Sequence, residues 1–185
     1  VAKPGCRFTD DDDQVRFFEH DRLGAERTGD ILTRFKVSVE VNRAVSQLVR
    51  RHRRFESLLQ EESPSERARL RYLRATEPFS QEQVLLSVCD RLSVRGVRVT
   101  EADLEHHLGL ASGMMARAFA RDEAAPLPRL IDGNELMAEL GLTPSPFLGQ
   151  VLDRIAEEQE LGLISTREQA LELARGLEGD NSDQT

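Results

Sequence analysis

Signals that start α-helices recur along the whole chain and constrain its fold more than any other feature. Each consists of a Ser, Thr or Asp side chain, which can accept a hydrogen bond from a free backbone N–H group, followed by apolar residues three and four positions apart. These starts lie at Ser38, 63–66, Ser80, Thr100, Asp132, 143–146 and 166–169. Runs of β-branched residues, which favour strands, are scarce. The sequence therefore predicts an all-α fold.

The chain before the first helix is predicted to be irregular, with a short hairpin. Residues 7–8 and 15–18 flank the acidic run 10–13, whose like charges repel one another and favour a solvated turn. The run lacks the alternating ligands, central Gly and closing Glu of a calcium-binding loop.

Four helices are predicted in the first two thirds of the chain from apolar faces at helical spacing. The first covers about residues 23–35 and is expected to bury Ala25, Thr28, Ile31, Leu32 and Phe35. The second follows Ser38 and carries on one side Val41, Val45, Leu48, Val49 and His52. The helix after Ser80 is expected to end at Gly96 and to turn inward Val84, Leu85, Val88, Cys89 and Leu92. The helix after Thr100 reaches about residue 120, with inward Leu104, Leu108, Met115 and Phe119.

The signal at 63–66 predicts one more helix in this part of the chain. Ser63 is the expected cap, Pro64 suits the first helical position, and Glu66 can complete a capping box.

A linker is predicted at 122–128, where acidic residues are followed by two alanines and a Pro-Leu-Pro sequence. It separates a helical body at 1–121 from a smaller helical tail at 129–178, and the polar residues 179–185 are expected to fray. In the tail, Asp132 caps a helix that Gly141 ends. The other two tail helices are expected to bury Phe147, Leu148, Val151, Leu152, Ile155, Ala170, Leu171 and Ala174.

Charge is distributed unevenly along the sequence, although the net charge is −8. Residues 34–74 contain 11 basic and 5 acidic residues, a net charge of +6. Residues 126–185 contain 4 basic and 12 acidic residues, a net charge of −8. Only the basic middle is a candidate surface for a polyanion.

Several arginines lie at the end of the second predicted helix, and the sequence allows two interpretations of them. They can contact a phosphate backbone, or they can favour a helix C-terminus and pair with nearby glutamates. The candidate RNA-binding residues are Arg50, Arg51, Arg53, Arg54, Lys36 and Arg43. Few aromatic residues lie nearby, which argues against base stacking and favours recognition of duplex shape.

His20, His52 and Asp90 are the candidate metal ligands. His20 and Asp21 are adjacent, so a regular helix cannot aim both at one metal, and Asp21 also suits a helix N-terminus. Asp90 follows an apolar stripe, where a carboxylate needs a partner, which can be a metal, a histidine or an arginine. Two histidines and one aspartate are few for zinc and form part of a site for manganese, iron or magnesium.

Several classes of protein are excluded by missing features. The sequence has no Gly-rich phosphate loop, nucleophile elbow, Cys-Cys metal spacing or paired-carboxylate pattern, so no active site can be assembled and no catalytic residue is assigned. No apolar run approaches the length of a membrane span, and no secretory signal is present. Cys6 and Cys89 are too few for a disulfide scaffold, which favours a reduced, cytoplasmic compartment.

Several segments resemble one family. VAKP at 1–4, RFFEHDRLGA at 16–25, LVRRH at 48–52 and CDRL at 89–92 are similar in order and spacing to the HD-type domain of bacterial CCA-adding tRNA nucleotidyltransferases and poly(A) polymerases. LIDGNELM at 130–137, LGLTP at 140–144, LGQVL at 148–152 and GLIST at 162–166 resemble that family's tail domain.

The resemblance implies an HD-like helical body and a small helical tail that together hold the acceptor and TΨC arms of tRNA. In the family, a His-Asp pair stands just before the segment matched by residues 1–4, and a nucleotidyltransferase head lies further upstream. This chain begins after both, so the resemblance implies the C-terminal RNA-binding and HD portion of such an enzyme. Its expected partners are tRNA or another structured RNA and the missing head domain.

The resemblance also bears on the metal site and on the alternatives. A divalent metal, Mg, Mn or Ni, is expected in the complete enzyme, whereas here His20, His52 and Asp90 form an incomplete site. CCA addition and polyadenylation are not separated, because the selecting residues belong to the head. A metal-dependent HD-domain phosphohydrolase and a non-catalytic helical interaction module remain the alternatives.

Overall fold

The computed structural model describes residues 3–9, 15–17, 19–93 and 100–182, and most of them form α-helices. This confirms the all-α class. A 3₁₀-helix at Lys3–Cys6 precedes strands β1 (Arg7–Thr9) and β2 (Val15–Phe17). The α-helices within the described ranges are α1 (His20–Arg34), α2 (Val39–Arg51), α3 (Arg54–Leu59), α4 (Glu66–Thr76), α5 (Ser80–Ser93), α6 (Glu101–Glu123), α7 (Gly133–Leu140), α8 (Pro146–Glu160) and α9 (Arg167–Ser182).

The chain divides into two units between Glu123 and Ala124. This point lies inside the segment 122–128 that the sequence predicts as a linker. Unit 1 contains the hairpin and α1–α6, and unit 2 contains α7–α9. The terminus predicted to fray at 179–185 overlaps α9, which continues to Ser182.

The predicted hairpin is present. β1 and β2 pair antiparallel, with Phe8 opposite Arg16. The acidic run between them lies outside the described residues, as does Gly96.

Helices α1 and α2 pack against each other, and polar side chains bridge them. Asn42 Nδ2 donates hydrogen bonds to Gly29 O and Thr33 Oγ1, both at 3.0 Å. Ser38 caps α2 by accepting from the backbone N–H of Val41 at 3.3 Å, as the sequence predicts. No residue of α2 is fully buried, and Phe35, predicted to face inward, is 76% exposed. The apolar side of this pair is therefore only partly covered within unit 1.

The core of unit 1 lies among α3–α6. Phe55 is 1% exposed and packs edge-on against Tyr72 from α4, with ring centroids 5.5 Å apart. Its other side stacks on His107 from α6 at 5.0 Å. The buried apolar residues of this core are Phe55, Leu58, Tyr72, Leu73, Val84, Leu110, Ala111, Met114 and Ala118.

His107 is a buried polar member of this core. Ser87 Oγ donates to Val84 O at 2.7 Å, so it is free to accept from His107 Nε2, which lies 3.2 Å away. His107 Nδ1 is then an unprotonated nitrogen, and within the described residues it has no hydrogen-bond partner. Burial lowers the pKa of His107, and the charges of Arg91 and His106 lower it further.

Three sequence predictions about unit 1 are partly wrong, although Val84 is buried and Val88 and Met115 pack against the core as predicted. On α5 the buried residues are Ser80, Gln83, Val84 and Ser87, whereas Leu85, Cys89 and Leu92 are exposed. On α6 the buried residues are His107, Leu110, Ala111, Met114 and Ala118, whereas Leu108 and Phe119 are 39% and 50% exposed. Helix α4 is capped by Ser65, which accepts from the N–H of Ala68 at 3.2 Å, and not by Ser63.

Polar partners explain the register of α5. Ser80 Oγ donates to Leu73 O at 3.1 Å, and Gln83 Nε2 donates to Leu48 O at 3.5 Å. Because buried polar groups are tolerated when they are hydrogen-bonded, these side chains occupy positions that hydrophobicity alone assigns to leucines.

Unit 2 follows the sequence predictions closely. Asp132 and Glu135 form a reciprocal capping box at the start of α7, and Gly141 ends that helix with a positive φ of 68°. Ser145 caps α8, with Pro146 in its first turn. Of the residues predicted to face inward, Leu148, Val151, Ile155, Ala170, Leu171 and Ala174 are buried, and Phe147 and Leu152 are half-buried against the same core.

Within the described part of the chain, no helix combines the length and the apolar character that crossing a bilayer requires.

Replacing Phe55 by Ala is expected to destabilise unit 1 by about 3–5 kcal/mol, because the ring contacts two other rings and the cavity cannot close fully. Urea denaturation would measure the loss. Phe35→Ala is the matched control and should cost less than about 0.5 kcal/mol, since Phe35 is exposed. A small decrease in the free energy of unfolding for Phe55→Ala would show that the ring does not join the helices of unit 1.

The stability of unit 1 is expected to fall as the pH is lowered through about 6.5, the ordinary pKa of histidine. Because the pKa of His107 is lowered in the folded protein, the unfolded chain binds a proton first. The stabilisation that neutral His107 contributes is therefore fully present above pH 6.5. It is lost as the pH falls from 6.5 to the lower pKa that His107 has in the folded protein. Free energies of unfolding between about pH 7.5 and pH 5.5 would show this slope. It should diminish in His107→Gln and persist in His106→Gln, which alters an exposed neighbour.

Candidate nucleic-acid interface and histidine pair

The candidate arginines surround the junction between α2 and α3. Arg50 and Arg51 form the last turn of α2, and Arg53 and Arg54 begin α3. Phe55 and Leu58 are buried on the opposite side of α3. Arg53 and Arg54 at its start are therefore held at the surface. The structure thus brings these four predicted residues to one end of the helix pair.

Arg51 is the anchored member of the group. Its Nη1 donates to the backbone carbonyl of Glu77 at 3.3 Å, and Gln47 Nε2 donates to the same oxygen at 2.7 Å. The pKa of Arg51 is lowered by partial burial and by the neighbouring charges of Arg54 and Arg50. The guanidinium groups of Arg54 and Arg50 therefore lie near enough to Arg51 for their charges to act on it.

Arg53 contributes less of this potential. Its Nε and Nη2 both donate to Glu56 Oε2, at 3.0 and 2.9 Å, and the hydrogen bond raises the pKa of Arg53. Among the described residues, Arg50 and Arg54 make no such ion pair. The positive charge at this end of α2 is therefore carried chiefly by Arg50, Arg51 and Arg54.

Lys36 and Arg43 lie on the α1–α2 pair. Lys36 follows α1 in the left-handed conformation, with φ of 55°, and both side chains are exposed. Their positive charges add to the basic character of this half of unit 1.

The structure brings His20 and His52 into contact. Their Nε2 atoms are 3.3 Å apart, and the rings meet edge-on with centroids 5.1 Å apart. His52 Nδ1 lies 2.7 Å from Val49 O, which only accepts hydrogen bonds, so this nitrogen carries the hydrogen. The Nε2 of neutral His52 is then an acceptor aimed at His20. This is also the orientation that a metal-binding histidine takes when a carbonyl holds its other nitrogen.

Asp21 and Asp90 have different surroundings. Burial alone would raise the pKa of Asp21, but hydrogen bonds from backbone N–H groups and the nearby histidines lower it overall. Asp90 is exposed on α5. No three His, Cys, Asp or Glu side chains of the described ranges converge where they could hold a metal. The histidine pair thus supplies two nitrogen donors, and Asp90 does not complete a three-ligand group with it.

Two buried groups were not assigned a role from the sequence. The sequence signal for burial of His107 is its position at helical spacing from Ala111 and Met114. Tyr72 lies at the wall of a cleft between α3 and α4, with Arg54, Arg67 and Arg71. Nothing in the local sequence indicates that its hydroxyl is buried.

Comparison with known proteins gives two curated relatives. The chain is 36% identical over 172 residues to an A-adding tRNA nucleotidyltransferase of Deinococcus radiodurans, and the match covers 92% of this chain and 38% of that enzyme. It is 33% identical over 174 residues to a CC-adding tRNA nucleotidyltransferase of Thermus thermophilus, covering 92% of this chain and 36% of that enzyme. No family model and no solved structure matches.

The chain therefore spans little more than a third of the length of these relatives. Both relatives add nucleotides to tRNA by name, and both match nearly the whole chain. The family resemblance drawn from the sequence is thus confirmed: the chain is related to a part of the tRNA nucleotidyltransferases.

Proposed function

We propose that this chain is the C-terminal, RNA-binding and HD-type part of a tRNA nucleotidyltransferase, and that it holds the acceptor and TΨC arms of tRNA. The observation that carries the proposal is the cluster of Arg50, Arg51 and Arg54 at one end of α2. Partial burial lowers the pKa of Arg51, and the nearby charges of Arg54 and Arg50 lower it further, which fits a group of positive charges there. A nucleotidyltransferase head outside this chain would carry the addition of nucleotides.

The chemistry of the cluster suits a phosphate backbone. Guanidinium groups donate hydrogen bonds to phosphate oxygens in a fork, and their charge displaces counterions from the nucleic acid. Such contacts position a duplex without reading its sequence. This fits a protein whose partner would be recognised by shape, because an enzyme that acts on many tRNAs cannot depend on one base sequence.

Unit 2 differs from unit 1 in its expected contribution. Its sequence is strongly acidic, which opposes broad contact with phosphates. The salt-dependent part of the affinity is therefore assigned to the arginines of unit 1.

Binding of a tRNA acceptor-arm minihelix is expected to weaken as salt rises, and to weaken further in the double variant Arg50→Ala, Arg51→Ala. Loss of two phosphate contacts should make the negative slope of log K against log salt less steep by about 2. Fluorescence anisotropy over a range of salt concentrations would measure it. Because Arg51 also bonds Glu77 O, thermal melting of the double variant and the single variant Arg50→Ala would separate a lost contact from altered folding.

The matched control is Arg129→Ala with Arg175→Ala, which removes two exposed arginines from unit 2. It should leave both the affinity and the slope unchanged. Binding that depends neither on salt nor on Arg50 and Arg51 would refute the proposal.

A second candidate function rests on the histidine pair. The Nε2 atoms of His20 and His52 face each other at 3.3 Å, with His52 oriented by Val49 O, and this favours a metal-dependent phosphohydrolase. Metal sites of hydrolytic enzymes use three or more protein ligands, so the described residues alone do not complete one. A divalent metal would need a further ligand from outside them.

Metal binding would separate this candidate from the first. If the chain is part of a hydrolase, Mn²⁺ or Ni²⁺ should bind to it and a phosphodiester probe should be cleaved. His52→Ala should abolish the metal binding. His106→Ala, which changes an exposed histidine, is the control and should bind as the parent does. If calorimetry detects neither metal nor RNA binding, both functions fail and a non-catalytic helical interaction module remains.

A further inference from the structure

Glu77, the residue that follows α4, joins three helices of unit 1 through different atoms. Its backbone N–H donates to Leu73 O on α4 at 3.1 Å. Its carbonyl accepts from Gln47 Nε2 and Arg51 Nη1 on α2, at 2.7 and 3.3 Å. Its carboxylate oxygen Oε1 accepts from Arg121 Nε on α6 at 2.6 Å. The end of α2 that carries the arginine cluster is therefore attached to Glu77.

The carbonyl and the carboxylate of Glu77 serve different arginines. Arg51 contacts the neutral carbonyl, whereas Arg121 holds the negative carboxylate. Among the residues that the structure describes, no ion pair joins Arg51 to a carboxylate. Arg51 therefore keeps a positive charge that no bonded carboxylate offsets.

Without Arg121, the carboxylate of Glu77 would have a second guanidinium group within reach. Arg51 Nη1 already touches the backbone of Glu77, and a glutamate side chain can turn about its single bonds. The side chain of Glu77 is 48% exposed, so packing does not hold its carboxylate in place. Because guanidinium and carboxylate groups form strong, charge-assisted hydrogen bonds, the released carboxylate would turn to Arg51.

An ion pair with Glu77 would make Arg51 a poorer ligand for a polyanion. An arginine attracts phosphates and displaces their counterions through its positive charge. A carboxylate bonded to the guanidinium offsets that charge and repels the phosphate. Arg53 shows this state on the same surface, since its guanidinium is paired with Glu56 at 2.9 Å.

We propose that Arg121 is a positioning residue, which holds the carboxylate of Glu77 away from Arg51 and so keeps the charge of Arg51 available to a phosphate group. The use of that charge for RNA rests on the proposed function, whereas the choice of partner by Glu77 does not. Arg121 acts through Glu77 and has no need to touch the RNA itself.

The first measurement follows the Arg51 side chain of the full chain by NMR. Arg121→Gln removes the charge of Arg121 and keeps a polar side chain in its place. A guanidinium group bonded to a carboxylate rotates more slowly about its Nε–Cζ bond. Slowed rotation of Arg51 is therefore expected in Arg121→Gln, and parent-like rotation in the double variant Arg121→Gln, Glu77→Gln.

Minihelix binding by the same variants measures the consequence. Arg121→Gln should weaken the affinity about threefold, the size of a partly exposed ion pair. It should also make the negative slope of log K against log salt less steep by about 1. Adding Glu77→Gln should restore both, because the backbone carbonyl that anchors Arg51 remains. A loss that persists in the double variant would overturn the inference.

Two further variants separate positioning from a general effect on α6. Arg117→Gln is the matched control, because it breaks the ion pair of Arg117 with Glu66 at 2.6 Å, one turn earlier on α6. It should change neither the rotation of Arg51 nor the affinity. Arg121→Lys keeps a cation beside Glu77 and should bind as the parent does. An equal loss of affinity in Arg121→Lys and Arg121→Gln would contradict the positioning role.

The two readouts separate this inference from the proposed function. Slowed rotation of Arg51 in Arg121→Gln, in a chain that binds no minihelix, refutes the proposed function and leaves the positioning of Glu77 standing. Affinity that depends on Arg50 and Arg51 but not on Arg121, with unchanged rotation of Arg51, overturns the inference and leaves the proposed function standing.

Discussion

The packing of Phe55 between Tyr72 and His107 is the contact on which the arginine cluster of unit 1 depends. Phe55 follows Arg54 directly, so burying its ring determines how α3 is rotated and keeps Arg54 at the surface. Tyr72 holds the other side of the ring and also forms part of the wall of the cleft. His107 extends the contact through α6 to Ser87 on α5. One aromatic side chain thus links the basic residues to four helices, and a loss of packing there would move charges that the ring itself never touches.

How much of the fold could be predicted depended on whether its determinants are local. The starts of α7, α8 and α9 are set by side chains within three residues of the backbone N–H groups they satisfy, and their apolar faces follow the 3–4 spacing. Helix α5 could not be oriented in this way, because the residues it buries are Ser80, Gln83 and Ser87. Their partners lie on other helices, up to 35 residues away, and no periodicity of hydrophobic residues reveals them.

The candidate sites were likewise predictable only where their residues are close together in the sequence. Arg50, Arg51, Arg53 and Arg54 are consecutive or nearly so, and their clustering at a helix end was visible in the sequence. Which of them carry free charge was not visible, since Glu56 reaches back to Arg53 while Arg51 is anchored by Glu77 O. The contact of His20 with His52 joins residues 32 positions apart, and the sequence indicated it only by making both residues candidate metal ligands together with Asp90. The buried hydroxyl of Tyr72 had no signal at all, because it depends on how α3 covers α4.

The helix starts of unit 2 offer few free donors to an anion. A free helix N-terminus attracts phosphate because its first backbone N–H groups lack partners. In unit 2 the starts are occupied by the protein's own oxygens: Asp132 accepts from two N–H groups, Ser145 from Leu148, and Thr166 from Gln169. With its acidic composition, unit 2 has neither the side-chain charge nor many free backbone donors for a phosphate backbone. Under the proposed function, attraction to RNA would then come from guanidinium groups of unit 1, where the charges of Arg54 and Arg50 act on Arg51.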